Sequence, residues 1–167
     1  MAEMQRITPC LWFDDQAEAA AQFYTEIFDD SRIVTITRYN EAGFDIHGKV
    51  AGSVMTVDFE LAGQSFTALN GGPAFRLNEA VSFQVLCADQ EEIDYYWNEL
   101  GAGGDPKAQQ CGWLKDKFGL SWQVVPRGMA EMLADADSPE ARRAMEAILR
   151  MKKIDIDELH RAYRDAA

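Results

Sequence analysis

The sequence predicts an α+β protein: two tandem βαβββ modules forming curved mixed sheets around a cavity, followed by a C-terminal helical tail. Three observations lead there. A strand-plus-helix unit occurs twice, a short closing strand led by a glycine occurs twice, and the pattern becomes wholly helical beyond Pro126. The expected layout is a two-module domain over 1–126, with module one at about 1–73 and module two at about 78–126, and a helical extension over 127–167.

The repeat becomes visible when Thr8 to Glu26 is laid on Ser82 to Leu100, each an apolar strand, then Asp-Gln-x-Glu, then an amphipathic helix. Asp15 with Glu18 and Asp89 with Glu92 have capping-box spacing, in which each side chain satisfies an orphan amide at a helix start. The helical period makes Ala20, Phe23, Tyr24 and Ile27 the buried face of the first helix, and Ile93, Tyr96, Trp97 and Leu100 that of the second. The closing strands are Gly63 to Leu69 and Gly119 to Val125. Further strands are expected near Ile33 to Tyr39 and Val54 to Glu60 in the first half, and near Lys107 to Gln109 and Gly112 to Asp116 in the second. Asn70-Gly-Gly-Pro73 is a turn that puts the module boundary between Asn70 and Asn78. In the tail, Met129 to Leu133 is a short helix, Ser138-Pro139 opens one that runs through Leu149, and Asp155 with Glu158 caps the last.

Composition narrows the function classes. With 167 residues, 47% of them apolar, the chain can build a real core. A net charge of −12 repels phosphate backbones and anionic lipid, so nucleic acid and membrane are not expected partners. No apolar run reaches the roughly 18 residues of a membrane span, and the start MAEMQRITPC lacks the layout of a secretion signal, which predicts a cytoplasmic protein. Cys10, Cys87 and Cys111 form no CxxC pair and read as buried free thiols.

Strand alternation sorts side chains by face. Ile7, Leu11, Phe13, Phe66, Val81, Phe83, Val85, Trp122 and Val124 are expected under the helices. The opposite, cavity-lining face carries Thr8, Cys10, Trp12, Ser65, Thr67, Ser82, Gln84, Ser121 and Gln123. It is neutral and rich in hydrogen-bonding groups, which suits a small ligand or trapped water. Arg76 and Lys115 are rim cations for an anionic ligand, and Trp12 and Trp113 supply flat apolar walls. Gly63-Gln-Ser65 and Gly119-Leu-Ser121 begin like nucleophile elbows, but Thr67 and Gln123 stand where the final glycine belongs. His47 and His160 fall outside the cavity strands, and nothing near Cys10 in sequence lowers its pKa.

The runs Ile7-Thr-Pro-Cys-Leu-Trp-Phe13, Ala17-Glu-Ala-Ala-Ala-Gln-Phe-Tyr24, Leu69-Asn-Gly-Gly-Pro-Ala-Phe75, Ser82-Phe-Gln-Val85 and Gly112 to Pro126 resemble the PhnB-like, "3-demethylubiquinone-9 3-methyltransferase-like" family of the glyoxalase / bleomycin resistance / dioxygenase superfamily, the vicinal oxygen chelate (VOC) proteins. The tail run Met145 to Asp157 resembles that branch too. Most better-understood relatives hold a divalent metal through His or Glu. The resemblance puts those positions on Thr8, Thr67, Ser82 and Gln123, all neutral and weak donors, so no metal and no cofactor is expected. The methyltransferase name finds no glycine-rich loop after a strand, since Gly71-Gly72 and Gly101-Ala-Gly-Gly104 read as turns. The expected function is metal-independent binding of a small molecule, with or without catalysis. The alternatives are a metal-dependent glyoxalase or dioxygenase, a methyltransferase, and a non-catalytic dimeric binding or assembly protein. Edge strands and an apolar tail predict a homodimer.

Overall fold

The structure is a computed structural model that describes residues 5–164; the outermost parts of the expected domain and tail, 1–4 and 165–167, lie outside the described residues. The chain forms two compact units that divide between Leu77 and Asn78.

In the first unit β1 (Cys10–Phe13), α1 (Ala17–Ile27), β2 (Arg32–Arg38), α2 (Phe44–His47), β3 (Val54–Leu61) and β4 (Gln64–Asn70) follow one another. The sheet order is β1-β4-β3-β2, with β1 parallel to β4 and the other pairs antiparallel. This is the predicted βαβββ module, with the one-turn α2 added in the β2–β3 loop. Alternation delivers Leu11, Phe13, Val57, Phe59, Leu61, Phe66 and Ala68 to one face, where α1 covers them with Ala17, Ala20, Ala21, Tyr24 and Ile27. Phe59 stacks on Phe66 at 5.5 Å and on Tyr24 at 6.3 Å, and each such buried side chain contributes about 2 kcal/mol. Ala62 and Gly63, both at positive φ, make the two-residue turn between β3 and β4; this hand of turn matches the strands' twist.

The start of α1 departs from the capping expectation. Gln16, not Asp15, sits at the N-cap, and no side chain at that position caps the helix. Asn70, at the far end of β4, does the work instead: its Oδ1 accepts from the Ala17 amide at 2.8 Å while its Nδ2 donates to the Val54 carbonyl at 3.2 Å. One buried amide thus joins the helix start to the sheet.

The second unit runs β5 (Ser82–Cys87), α3 (Gln90–Gly101), a 3-10 turn (Pro106–Ala108), β6 (Trp113–Lys115) and β7 (Ser121–Pro126), then α4 (Met129–Met132), α5 (Pro139–Arg150) and α6 (Ile156–Arg164). Its sheet has three strands in the order β5-β7-β6, with β5 parallel to β7. The strand expected at Lys107 to Gln109 does not form. Pro106 has no amide to give a ladder, and Asp105 accepts the Lys107 amide at 2.9 Å, which tightens the segment into a helical turn. The Asp89–Glu92 capping box is present: Asp89 accepts from the Glu92 amide at 2.9 Å, and Glu92 reaches back to the Ala88 amide at 2.7 Å.

The tail fastens to this unit. The Cys111 and Gly112 amides, just before β6, donate to the Met151 and Lys152 carbonyls at 2.9 and 2.8 Å. Gln90 donates to the Ile154 carbonyl and accepts from the Ile156 amide, while Met151, Ile154 and Leu159 are buried. Ser138 and Asp155 cap α5 and α6 through the Ala141 and Glu158 amides. Two residues expected under the helices are instead open, Ile7 at 84% and Val81 at 62% exposure, because each precedes the first paired residue of its strand.

The Asn70 brace generates a prediction. Asn70→Ala should cost about 1–3 kcal/mol by leaving the buried Ala17 amide and the half-buried Val54 carbonyl without this partner, whereas Asp15→Ala should stay within about 0.5 kcal/mol. Urea unfolding of both variants checks this, and equal losses would return the cap to Asp15.

Candidate functional site

In each unit the sheet face away from its helix carries the polar side chains. On the first sheet the register aligns Cys10, Thr67, Asp58 and Thr35 in one row, and Trp12, Leu69, Thr56 and Thr37 in the next. Thr67 Oγ1 donates to Asp58 Oδ1 at 2.7 Å, and the Thr37 and Thr56 hydroxyls bond at 2.5 Å. Thr8, Asp58, Glu60, Ser65 and Thr67, with Val34, Phe59 and Phe66, line a cleft of about 310 Å³. Thr8 lies just ahead of β1 rather than within it. Glu60 faces Arg32 at 3.0 Å, so its charge is locally balanced.

Trp12 is held by geometry on three sides. Its indole Nε1 donates to the Gly72 carbonyl at 2.8 Å, Phe75 meets its ring edge-on at 4.9 Å, and a Cβ on Gly71 would stand 2.2 Å from the ring. Only glycine fits there. Arg76 is exposed in the segment that follows.

On the second sheet the rows are Ser82, Ser121 and Lys115, then Gln84, Gln123 and Trp113. Gln84 Nε2 donates to Gln123 Oε1 at 3.3 Å, and Gln123 Nε2 donates to Ser82 Oγ at 2.8 Å. Ser121 is buried, and its hydroxyl finds no hydrogen-bond partner among the described residues. An unmet buried hydroxyl costs about 1–3 kcal/mol. Lys115 pairs with Glu79, whose carboxyl that contact holds below the ordinary range.

Asp58, Glu60 and Glu79 were not among the residues singled out from sequence. The signal for two of them was available: Thr56, Asp58 and Glu60 alternate with Val57, Phe59 and Leu61, which places both carboxylates on the open face. Glu79 precedes β5 and had no such pattern.

The buried Asp116 is a scaffold group, accepting from the Phe118 and Leu120 amides and from Trp122 Nε1 at 2.8, 3.0 and 2.9 Å. His47 braces its loop: Nδ1 accepts from the Lys49 amide at 2.9 Å, which leaves Nε2 to donate to the Ala42 carbonyl at 3.1 Å. His160 is exposed on α6.

Among the described residues, no three His, Cys, Asp or Glu side chains come together as a metal-binding group. Of the positions that the resemblance would assign to metal ligands, Thr67 donates to Asp58 and Gln123 to Ser82, and such neutral hydroxyl and amide groups are weak donors for a divalent ion. Neither sheet is a doubly wound parallel one, the frame of the usual adenosylmethionine site. No helix in the described residues is long and apolar enough to cross a membrane.

The 3-demethylubiquinone-9 3-methyltransferase family model matches residues 5–125. The chain belongs to this family. A PhnB protein of Bacillus cereus that carries the same methyltransferase name is 37% identical over 73% of this chain and 99% of its own, with a TM-score of 0.61. Protein PA1353 of Pseudomonas aeruginosa shares the fold at 18% identity, covering 74% of this chain and 98% of its own, with a TM-score of 0.55. A lactoylglutathione lyase of Agrobacterium tumefaciens matches at 16% identity over 76% of this chain and 96% of its own, with a TM-score of 0.44. Among curated proteins none matches significantly. Helices α4 to α6 lie beyond the matched range.

Of the three cysteines expected to be buried only Cys87 is, since Cys10 is exposed on the sheet face away from α1 and Cys111 is half-buried in the turn before β6. Partial desolvation, and then the Asp58 carboxylate, still raise the Cys10 thiol above its ordinary value, and burial pushes Cys87 up to about 12. Cys10 should therefore react with iodoacetamide at pH 8 more slowly than a free cysteine peptide, and Cys87 only on unfolding. Asp58→Asn removes the repelling charge and should speed Cys10 roughly twofold. Mass mapping of the alkylated sites reads both, and an unchanged Cys10 rate in the variant would remove Asp58 from the account.

Proposed function

We propose that this protein is a metal-independent, small-molecule-binding member of the VOC superfamily. Its ligand contacts would come from Thr8, Cys10, Trp12, Ser65 and Thr67 on the first sheet and Ser82, Gln84, Ser121 and Gln123 on the second, with Arg76, Trp113 and Lys115 at the rims. The observation that carries this reading is the chemistry of the positions where relatives ligate metal: Thr67 and Gln123 are neutral and already hydrogen-bonded to Asp58 and Ser82. Such groups orient a ligand and do little to polarise it. With Cys10 held protonated, any reaction on this surface would depend on reactivity that the substrate brings.

A compartment that keeps thiols reduced, the cytoplasm, suits the three free cysteines, and the charge of −12 argues against nucleic acid as a partner. A homodimer is favoured by one further observation, the exposed Met145 and Leu149 on α5.

Elemental analysis of protein purified without chelator should find well under one equivalent of Zn, Ni, Mn or Fe, and adding them should not raise the melting temperature. Stoichiometric metal would overturn the reading. Light scattering should give twice the monomer mass, reverting to monomer in the Met145→Glu, Leu149→Glu double variant without loss of melting temperature; a monomeric wild type removes the dimer.

A further inference from the structure

Ser121 is only 1% exposed, and its hydroxyl is the buried side-chain polar atom that finds no partner among the described residues. Its place in the sheet shows what such a partner would meet. Ser121 is paired across β5 with Ser82 and across β6 with Lys115, and this row has the parity opposite to Leu114 and Trp122, which are packed on the helix side. Ser82, Ser121 and Lys115 therefore line up on the face away from the helix, with Ser121 buried at the centre of the row between the half-buried Ser82 and Lys115, and neighbouring strands stand roughly 4.8 Å apart.

The direction of the adjoining hydrogen bonds decides the polarity of that row. Gln84 donates to Gln123, and Gln123 donates to Ser82 Oγ, so Ser82 is already an acceptor and the proton it has to give remains. Ser121 has its proton as well, and Lys115 is a cation. Three donors in one row ask for an acceptor with two oxygens and one negative charge. One such group is already at the end of the row: the Glu79 carboxylate, on an exposed side chain in the segment before β5, pairs with Lys115. A single ammonium balances a monoanion, and the −12 net charge supplies no general attraction for anions of higher charge.

We infer that the Ser82–Ser121–Lys115 row is a subsite for the carboxylate of a small-molecule ligand, which takes Lys115 in place of Glu79 and accepts from the two serine hydroxyls. Glu79 is then an internal stand-in that closes the empty subsite and competes with the ligand. The inference rests on the small-molecule reading above and specifies its chemistry.

The test uses the full chain, labelled with nitrogen-15, and three probes of one shape: benzoate, benzamide and benzylamine at millimolar concentration. Benzoate should shift the Ser82, Lys115 and Ser121 amides, and benzylamine should not. Lys115→Met and Ser121→Ala should each weaken benzoate about tenfold, whereas Glu79→Gln, which removes the competitor, should tighten it severalfold. Ser121→Ala should melt no lower than wild type while losing benzoate-induced stabilisation, an opposition that a purely structural serine would not produce. Benzylamine or benzamide binding the open faces as well as benzoate overturns the carboxylate subsite and leaves the small-molecule reading standing. Weaker benzoate binding by Glu79→Gln also overturns the subsite. If no probe perturbs either open face, both fall.

Discussion

The parallel pairing of the first and last strands of each module is the constraint on which the rest depends. In the first unit it sets Cys10 opposite Thr67, and in the second Gln84 opposite Gln123. The internal repeat lays Cys10 on Gln84 and Thr67 on Gln123, so the two sheets keep the same register. Because side chains alternate with a period of two, a slip of one residue would turn every polar row into the helix and every apolar row outward. The burial of Leu11, Phe13, Phe66 and Ala68 on one side, and of Val85, Trp122 and Val124 on the other, holds that register against slippage.

The modules solve the same local problem differently. Each must satisfy the amides at the start of its helix. In the first, the residue after the closing strand's Leu69 is Asn70, whose amide reaches across to Ala17. The corresponding residue in the second is Pro126, which has no side-chain amide, and there Asp89 and Glu92 cap α3 by themselves. The missing fourth strand of the second sheet has a similar answer, since the tail's Met151 and Lys152 carbonyls take up the amides at the entrance to β6.

The open faces differ in charge. The first carries Asp58 among hydroxyls and a thiol, with Glu60 balanced by Arg32; the second carries amides and hydroxyls with one cation, itself matched by Glu79. Among the described residues, neither face gathers three His, Cys, Asp or Glu side chains into a metal-binding group.

The amino-acid pattern alone was enough to determine the repeat, the α+β class, the faces of α1 and α3, the polar rows and the caps at Asp89, Ser138 and Asp155, because periodicity, glycine turns and capping spacings are local properties. Tertiary structure decided what pairs with what. Asp15 has capping spacing but loses the helix start to Asn70, 53 residues away from Ala17. Lys107 to Gln109 alternates like a strand, yet Pro106 and Asp105 fold it into a turn. Lys115 reads as an available cation until Glu79 is seen beside it, and Ser121 reads as one polar residue among many until its burial leaves its hydroxyl unmatched. The outcomes at Asp15, Lys115 and Ser121 depend on a partner distant in sequence or on the exclusion of water, which no local spacing encodes, whereas the turn at Pro106 is local chemistry that outweighs the alternation.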